Sequence, residues 1–174
     1  MGRRLDSNVV LIGMPGVGKS TVGVLLAKAL SRDFVDTDVR IQLREGRMLQ
    51  AIIDAEGIEA FQVLEERHVL NLMCQNTVIA TGGSVVYSKP AMDHLRAGGF
   101  VIHLWLPLDV LEQRLVDTKS RGLVIGPGQT IEQLYHERLP LYRREADITV
   151  ECNGMTQDQV VGQVLDMLKR HALQ

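Results

Sequence analysis

Residues 9–12, Val-Val-Leu-Ile, form an unbroken apolar run of strand length, the pattern of a strand buried on both faces. Behind a glycine-rich segment, Val22, Leu25, Leu26 and Ala29 recur at the i, i+3, i+4, i+7 spacing of one helical face. The alternation continues along the chain. Phe34, Val35 and Asp36 predict a second short strand, and residues 77–80 a third that ends at Gly82 and Gly83. Residues 100–106 predict a fourth, entered through Gly98 and Gly99, and residues 147–150 a fifth. Between the second and third lies a polar, helix-rich stretch at about 39–75, interrupted at Gly46 and Gly57. Helices are expected near 108–116 and 131–139, and Val160, Val161, Val164, Leu165 and Leu168 share one face of a last one. Strands alternating with helices pack as a parallel sheet covered on both sides. The expected fold is α/β, three αβα layers around a five-stranded parallel sheet, with residues 1–174 as one domain.

Residues 118–130 interrupt the rhythm with Gly122, Gly126, Pro127 and Gly128. A glycine-rich connection of this length in a compact domain is either a functional lid or a solvated surface loop.

Glycine placement also carries the strongest chemical signal. Gly13-Met14-Pro15-Gly16-Val17-Gly18-Lys19-Ser20 fits G-x-x-x-x-G-K-[ST], with Thr21 next. It follows a predicted strand and opens a predicted helix, the context the motif requires. Glycines let backbone N–H groups wrap an anion, Lys19 supplies charge to β and γ phosphates, and the Ser20 hydroxyl belongs in a magnesium shell. The helix behind presents its positive end to the same phosphates. The segment predicts a site for ATP with Mg²⁺, held by Gly16, Val17, Gly18, Lys19, Ser20 and Thr21.

Asp36-Thr37-Asp38 closes the second predicted strand. Residues two apart on a strand share a side, and the carboxyl ends of parallel strands line the edge where such a phosphate loop sits. Two carboxylates are therefore expected to face the metal and the transferred group, one for the metal and one as base for an attacking hydroxyl. A solvated turn is the alternative. Arg121, in the proposed lid, and Arg138, beside Pro140, are candidates to place positive charge over the reacting phosphate. Arg143 and Arg144 read as solvated.

Overall properties narrow the partners. With 45% hydrophobic residues, a chain of 174 builds one sizeable core. A net charge of −2 without a basic stripe disfavours nucleic acid. No apolar run approaches the length of a membrane span, and residues 9–12 are too short for a signal-peptide core. Met1-Gly2 invites N-myristoylation, but Asp6 stands where that site needs Ser or Thr. Cys74 and Cys152 match neither a metal spacing nor a disulfide framework, so buried thiols in a reducing compartment are expected. The histidines share no ligand spacing, and packing is their expected role. The expectation is a cytoplasmic monomer acting on a small molecule.

Taken together, the sequence resembles the shikimate kinases, within the nucleoside-monophosphate-kinase-like P-loop fold, over essentially its whole length. The matching stretches are residues 13–21, Phe34-Val35-Asp36-Thr37-Asp38, Glu56-Gly57 through Phe61 and Glu65, Ala80-Thr81-Gly82-Gly83, and Arg138-Leu139-Pro140-Leu141-Tyr142. The resemblance implies an ATP-dependent phosphotransferase with an alcohol acceptor, in aromatic amino acid biosynthesis. It implies that Asp36 helps hold magnesium through water and that Asp38 binds the acceptor hydroxyls and serves as base. Gly82 and Gly83 would contact the acceptor by backbone, Arg121 the ATP phosphates, Arg114 the adenine and Arg138 the acceptor carboxylate.

Three departures fall on the acceptor side or the lid. Gln62 stands where the family has an arginine, and an amide offers neither charge nor a bidentate fork. Ser84 replaces a third glycine, adding a side chain where the acceptor passes. The lid reads Arg121-Gly122-Leu123-Val124 where the family has Arg-Pro-Leu-Leu. Shikimate or a similar hydroxylated carboxylic acid is the first expectation for the acceptor. A gluconate-like or neutral polyol is the second, and a nucleotide-binding regulator without transfer activity the third.

Overall fold

The computed structural model describes residues 7–116 and 128–172. Five strands form one parallel sheet: β1 (Asn8–Ile12), β2 (Asp33–Asp36), β3 (Thr77–Ala80), β4 (Gly99–Trp105) and β5 (Ile148–Glu151). Their order across the sheet is β2-β3-β1-β4-β5, with every pairing parallel. The apolar run that predicts β1 is fully buried because β1 is the central strand. Helices α1 (Lys19–Leu30), α2 (Thr37–Glu45), α3 (Leu49–Glu56), α4 (Ile58–Leu70), α5 (Lys89–Gly98), α6 (Leu108–Val116), α7 (Ile131–Glu145) and α8 (Gln157–Ala172) connect or follow the strands. No helix among the described residues is long and apolar enough to cross a membrane.

Two clusters hold these elements. The main core runs through β1, β3 and β4 and takes in Val22 and Leu26 of α1, Met92 and Leu95 of α5, Tyr142 of α7, and Val160 and Val164 of α8. A smaller one, Ile41, Leu49, Ile52, Ile53, Phe61 and Leu64, fastens α2, α3 and α4 to one another. The helix-rich stretch expected at 39–75 is thus three short helices with their own apolar centre, broken at Gly46 and Gly57 as the sequence suggests.

The strands match expectation to within a residue or so, but three other details differ. Asp38 is not on a strand. β2 ends at Asp36, which caps α2: its Oδ1 accepts from the backbone N–H of Asp38 at 3.0 Å and of Val39 at 3.2 Å. An aspartate bonding the first helical amides is a strong N-cap, and it stops the strand there. Helix α5 has no counterpart in the expected elements, although Ser88 caps it with Pro90 in its first turn. Helix α7 does not stop before Pro140 but runs through it to Glu145, started by a capping box between Thr130 and Gln133. The two thiols are free as expected, but only Cys152 is buried; Cys74 is half-buried. Arg121 and most of the proposed lid lie outside the described residues.

Candidate active site

Register brings the chemistry to one edge. Asp36 of β2 pairs with Ala80 of β3, Ala80 lies beside Leu11 of β1, and Ile12 pairs with His103 of β4. The loops after β1, β2 and β3 therefore leave the sheet side by side at its carboxyl edge, where α/β sheets bind ligands.

The loop after β1 delivers Gly13 to Ser20. Gly18, at φ 101°, is the residue before α1, and the first turn of that helix holds no acidic side chain. Its free N–H groups and positive end are left to an anion. Gly13 admits no side chain, because a Cβ there would lie 2.4 Å from the Leu104 carbonyl oxygen. Lys19 is buried and donates to the carbonyls of Gly13 at 2.8 Å and Met14 at 3.1 Å. Burial pulls its ammonium down to about 8, against the opposing pull of Asp38 and then Asp36.

The loop after β2 supplies the carboxylates. Ser20 Oγ donates to Asp36 Oδ2 at 2.6 Å, while Asp36 Oδ1 holds the cap of α2. Asp38 sits in the first turn of α2, and burial, then Asp36, push its carboxyl up to about 6. It still faces the site as expected, by helical position rather than strand alternation.

The loop after β3 is the meeting point. Thr81 donates from both backbone and hydroxyl to the Leu11 carbonyl, at 3.2 and 3.0 Å. Gly82 N–H donates to Thr37 Oγ1 at 3.0 Å, and Tyr142 Oη donates to the Gly83 carbonyl at 2.6 Å. A Cβ on Gly82 would lie 2.2 Å from Glu65 Oε1 and 2.7 Å from Asp38 Oδ1, and one on Gly83 would lie 3.1 Å from Arg138 Nη1. Asp38, Glu65 and Arg138 thus converge on two successive glycines. A side chain at Gly82 would overlap both carboxyl groups, and one at Gly83 would press on Pro15 and Arg138.

Arg138 is 1% exposed. Its guanidinium carbon lies 5.1 Å from the centroid of the Tyr87 ring, and its Nε donates to Tyr87 Oη at 3.1 Å. Glu65, equally buried, accepts from Ser84 Oγ at 2.6 Å through Oε2, and burial, then Asp38, push it up to about 8. Ser84 does not project into the acceptor's path as the sequence suggests; its hydroxyl turns to Glu65 and the residue is 2% exposed. Gln62 is half-buried and lines a cavity with Glu65, Ser84 and Tyr87. Arg114 of α6 reaches the phosphate loop, its Nη1 lying 3.5 Å from the Gly16 carbonyl.

Sequence reasoning misses Tyr87, Thr37 and a role for Ser84's hydroxyl. No spacing marks them, because each acts through a contact between distant segments. Three histidines pack as expected: buried His103 stacks on Tyr142 with centroids 5.1 Å apart, His68 pairs with Glu45 and His94 bonds the Leu72 carbonyl, whereas His136 and His171 are exposed.

Magnesium takes few protein ligands and keeps waters and phosphate oxygens. A hydroxyl and a carboxylate side by side at Ser20 and Asp36 fit that habit. No cluster of three or more His, Cys, Asp or Glu forms among the described residues, as a cage for a softer metal would need.

Comparison with known proteins agrees with this geometry. The family model for shikimate kinase matches residues 15–169. The shikimate kinase of Pasteurella multocida is 40% identical over 165 residues, covering 92% of this chain and 94% of that protein. That of Vibrio cholerae serotype O1 is 37% identical over 169 residues, covering 95% and 97%. The structure of shikimate kinase from Acinetobacter baumannii in complex with shikimate superposes with a TM-score of 0.89 at 31% identity, covering 97% of this chain and 96% of that one. Fold and similarity agree: the chain belongs to the shikimate kinase family, a family of ATP-dependent phosphotransferases with an alcohol acceptor.

Proposed function

We propose that this chain transfers the γ-phosphoryl group of ATP to a hydroxyl of shikimate, as a cytoplasmic monomer in which residues 1–174 act as one domain. The observation that carries this reading is the convergence of Asp38 and Arg138 on the Gly82-Gly83 turn, with Lys19 of the phosphate loop near enough for its charge to act on Asp38.

The amides of residues 16–21 and the N-terminus of α1 hold the β and γ phosphates. Lys19 leaves the Gly13 and Met14 carbonyls to neutralise them. Ser20 and Asp36 would hold magnesium, and the ion would supply charge neutralisation to the phosphates. Arg114 packs against adenine, and Arg121, carried by a lid over 118–130, adds charge over the γ-phosphate. The helical region of about 39–75 takes the acceptor.

On that side, Arg138 pairs with a carboxylate and the turn at Gly82 and Gly83 fixes the ring by backbone contact, with Gln62 at the cavity wall. Asp38 orients the attacking hydroxyl and takes its proton. A carboxyl poised near 6 is ionised at neutral pH yet basic enough for that work.

ADP release with and without shikimate tests the proposal. Shikimate-dependent turnover yielding a phosphate monoester is expected. MgATP binding without that turnover would overturn it.

A further inference from the structure

A cavity beside the proposed acceptor turn, which it meets at Glu65 and Ser84, is lined by carboxyl groups. It has a volume of about 270 Å³, and its walls include Glu59, Gln62, Glu65, Glu66, Ser84 and Tyr87. Arg138 stacks on Tyr87, one of the lining residues. Three of the cavity's lining residues are carboxylic acids and none is Lys or Arg. Gln62 adds no charge to redress the balance.

Glu65 marks where a complementary group belongs. Its Oε2 is held by Ser84, whereas Oε1 is buried and has no hydrogen-bond partner among the described residues. That oxygen faces the same backbone turn as Asp38, since both lie within 2.7 Å of the Cβ position of Gly82. A buried polar atom without a partner is costly and is satisfied by a donor on the ligand. With burial holding this carboxyl protonated to about pH 8, an adjacent cation would let it ionise and pair.

We propose that this cleft also phosphorylates a small hydroxylated α-amino acid, with its carboxylate on Arg138, its ammonium on Glu65 Oε1 and its side-chain hydroxyl at Asp38. The proposal rests on the kinase reading for ATP as donor and Asp38 as base. The hydroxyl oxygen forms a bond to the γ-phosphorus while the bond from phosphorus to the β,γ-bridging oxygen breaks. ADP leaves, and the hydroxyl proton passes to Asp38. The opposite charges of such a zwitterion match Glu65 and Arg138, which face successive glycines of one turn.

The test uses the full chain with MgATP and compares L-homoserine, L-serine and L-threonine with shikimate and 4-hydroxybutyrate. The last keeps the hydroxyl and carboxylate of homoserine but lacks its ammonium. Turnover with an amino acid is expected, giving an O-phosphoamino acid by phosphorus NMR. If homoserine is accepted, its kcat/KM should exceed that of 4-hydroxybutyrate by about tenfold or more, the worth of one charge-assisted hydrogen bond. Gln62→Arg adds a cation one helical turn from Glu65, and should lower amino-acid kcat/KM by about tenfold while raising that for shikimate. Glu65→Gln should raise the amino-acid KM. Turnover with shikimate but with none of the three amino acids overturns this proposal and leaves the kinase reading standing. No turnover with any acceptor, while MgATP still binds, overturns both. Equal kcat/KM for homoserine and 4-hydroxybutyrate also overturns it, because the ammonium would then go unread.

Discussion

Ser84 Oγ lies 2.6 Å from Glu65 Oε2 and donates to it, in a place where each residue is 2% exposed. With Oε1 lacking a partner, this bond is the carboxyl's one hydrogen bond among the described residues. Ser84→Ala removes the donor and leaves a buried carboxyl unsatisfied at both oxygens. The expected cost is about 1–3 kcal/mol, or a fall in Tm of roughly 3–8 °C for a chain of this size. Thermal unfolding at pH 6 measures it, and an unchanged Tm would mean that the bond contributes nothing.

Glu65 itself makes stability depend on pH. Burial first, and Asp38 second, raise its carboxyl from 4.5 to about 8. Once unfolded, the group loses its proton near 4.5, whereas the folded chain keeps it until about 8. The folded state therefore binds the extra proton, and the stability this contributes is present below 4.5 and lost as pH rises towards 8. Glu65→Gln is uncharged throughout and cancels that dependence. Relative to the parent, its urea midpoint should climb between pH 5 and pH 8, by the equivalent of about 1–3 kcal/mol. A difference that stays constant across this range would place the titration on another group.

Much of this site is legible in the sequence because its parts are local. A phosphate loop is eight consecutive residues between a strand and a helix, so Gly13 to Ser20 announces both the chemistry and its place. Asp36 and Asp38 are legible as a pair, but strand alternation is the wrong reason for their geometry. Asp36 spends one oxygen on capping α2, which turns Asp38 onto a helix. The roles of Ser84, Tyr87 and Thr37 are not legible, because each depends on a contact spanning 19 to 51 residues of chain. Ser84 reads as an obstruction until its rotamer is known. Helix α5 was open to prediction from Ser88 and Pro90, but its apolar face, Ala91, Met92 and Leu95, covers barely two turns.

Asp38 is expected to behave as a base poised near 6. Asp38→Asn keeps the side-chain volume and loses the proton acceptor, so kcat should fall by about 10²–10⁴-fold. Calorimetry with MgADP should find nucleotide affinity changed by less than about threefold, since Asp38 reaches the acceptor turn and makes no hydrogen bond to the phosphate loop among the described residues. In the parent, kcat/KM for the acceptor should rise with pH through about 6, because burial and then Asp36 raise the carboxyl and only its ionised form accepts the proton. Substantial kcat in the Asn variant, or a flat profile between pH 5 and 7, would remove Asp38 from the proton transfer.

Asp36 combines two tasks that substitution separates. Oδ1 accepts two amides at the start of α2, and Oδ2 accepts the Ser20 hydroxyl beside the phosphate loop. Asp36→Asn keeps a side-chain oxygen for the cap while removing the charge that favours magnesium. Its Tm should stay close to that of the parent, whereas the magnesium concentration needed for half-maximal turnover should rise by about tenfold or more. Asp36→Ala removes both functions and should lose a further 0.5–2 kcal/mol or so of stability, the usual worth of an N-cap. Urea unfolding of the two variants without ligand, beside magnesium titrations of turnover, distinguishes the contributions. Equal destabilisation by Asn and Ala would show that charge, not the cap, stabilises α2. An unchanged magnesium requirement in Asp36→Asn would move the metal away from this carboxylate.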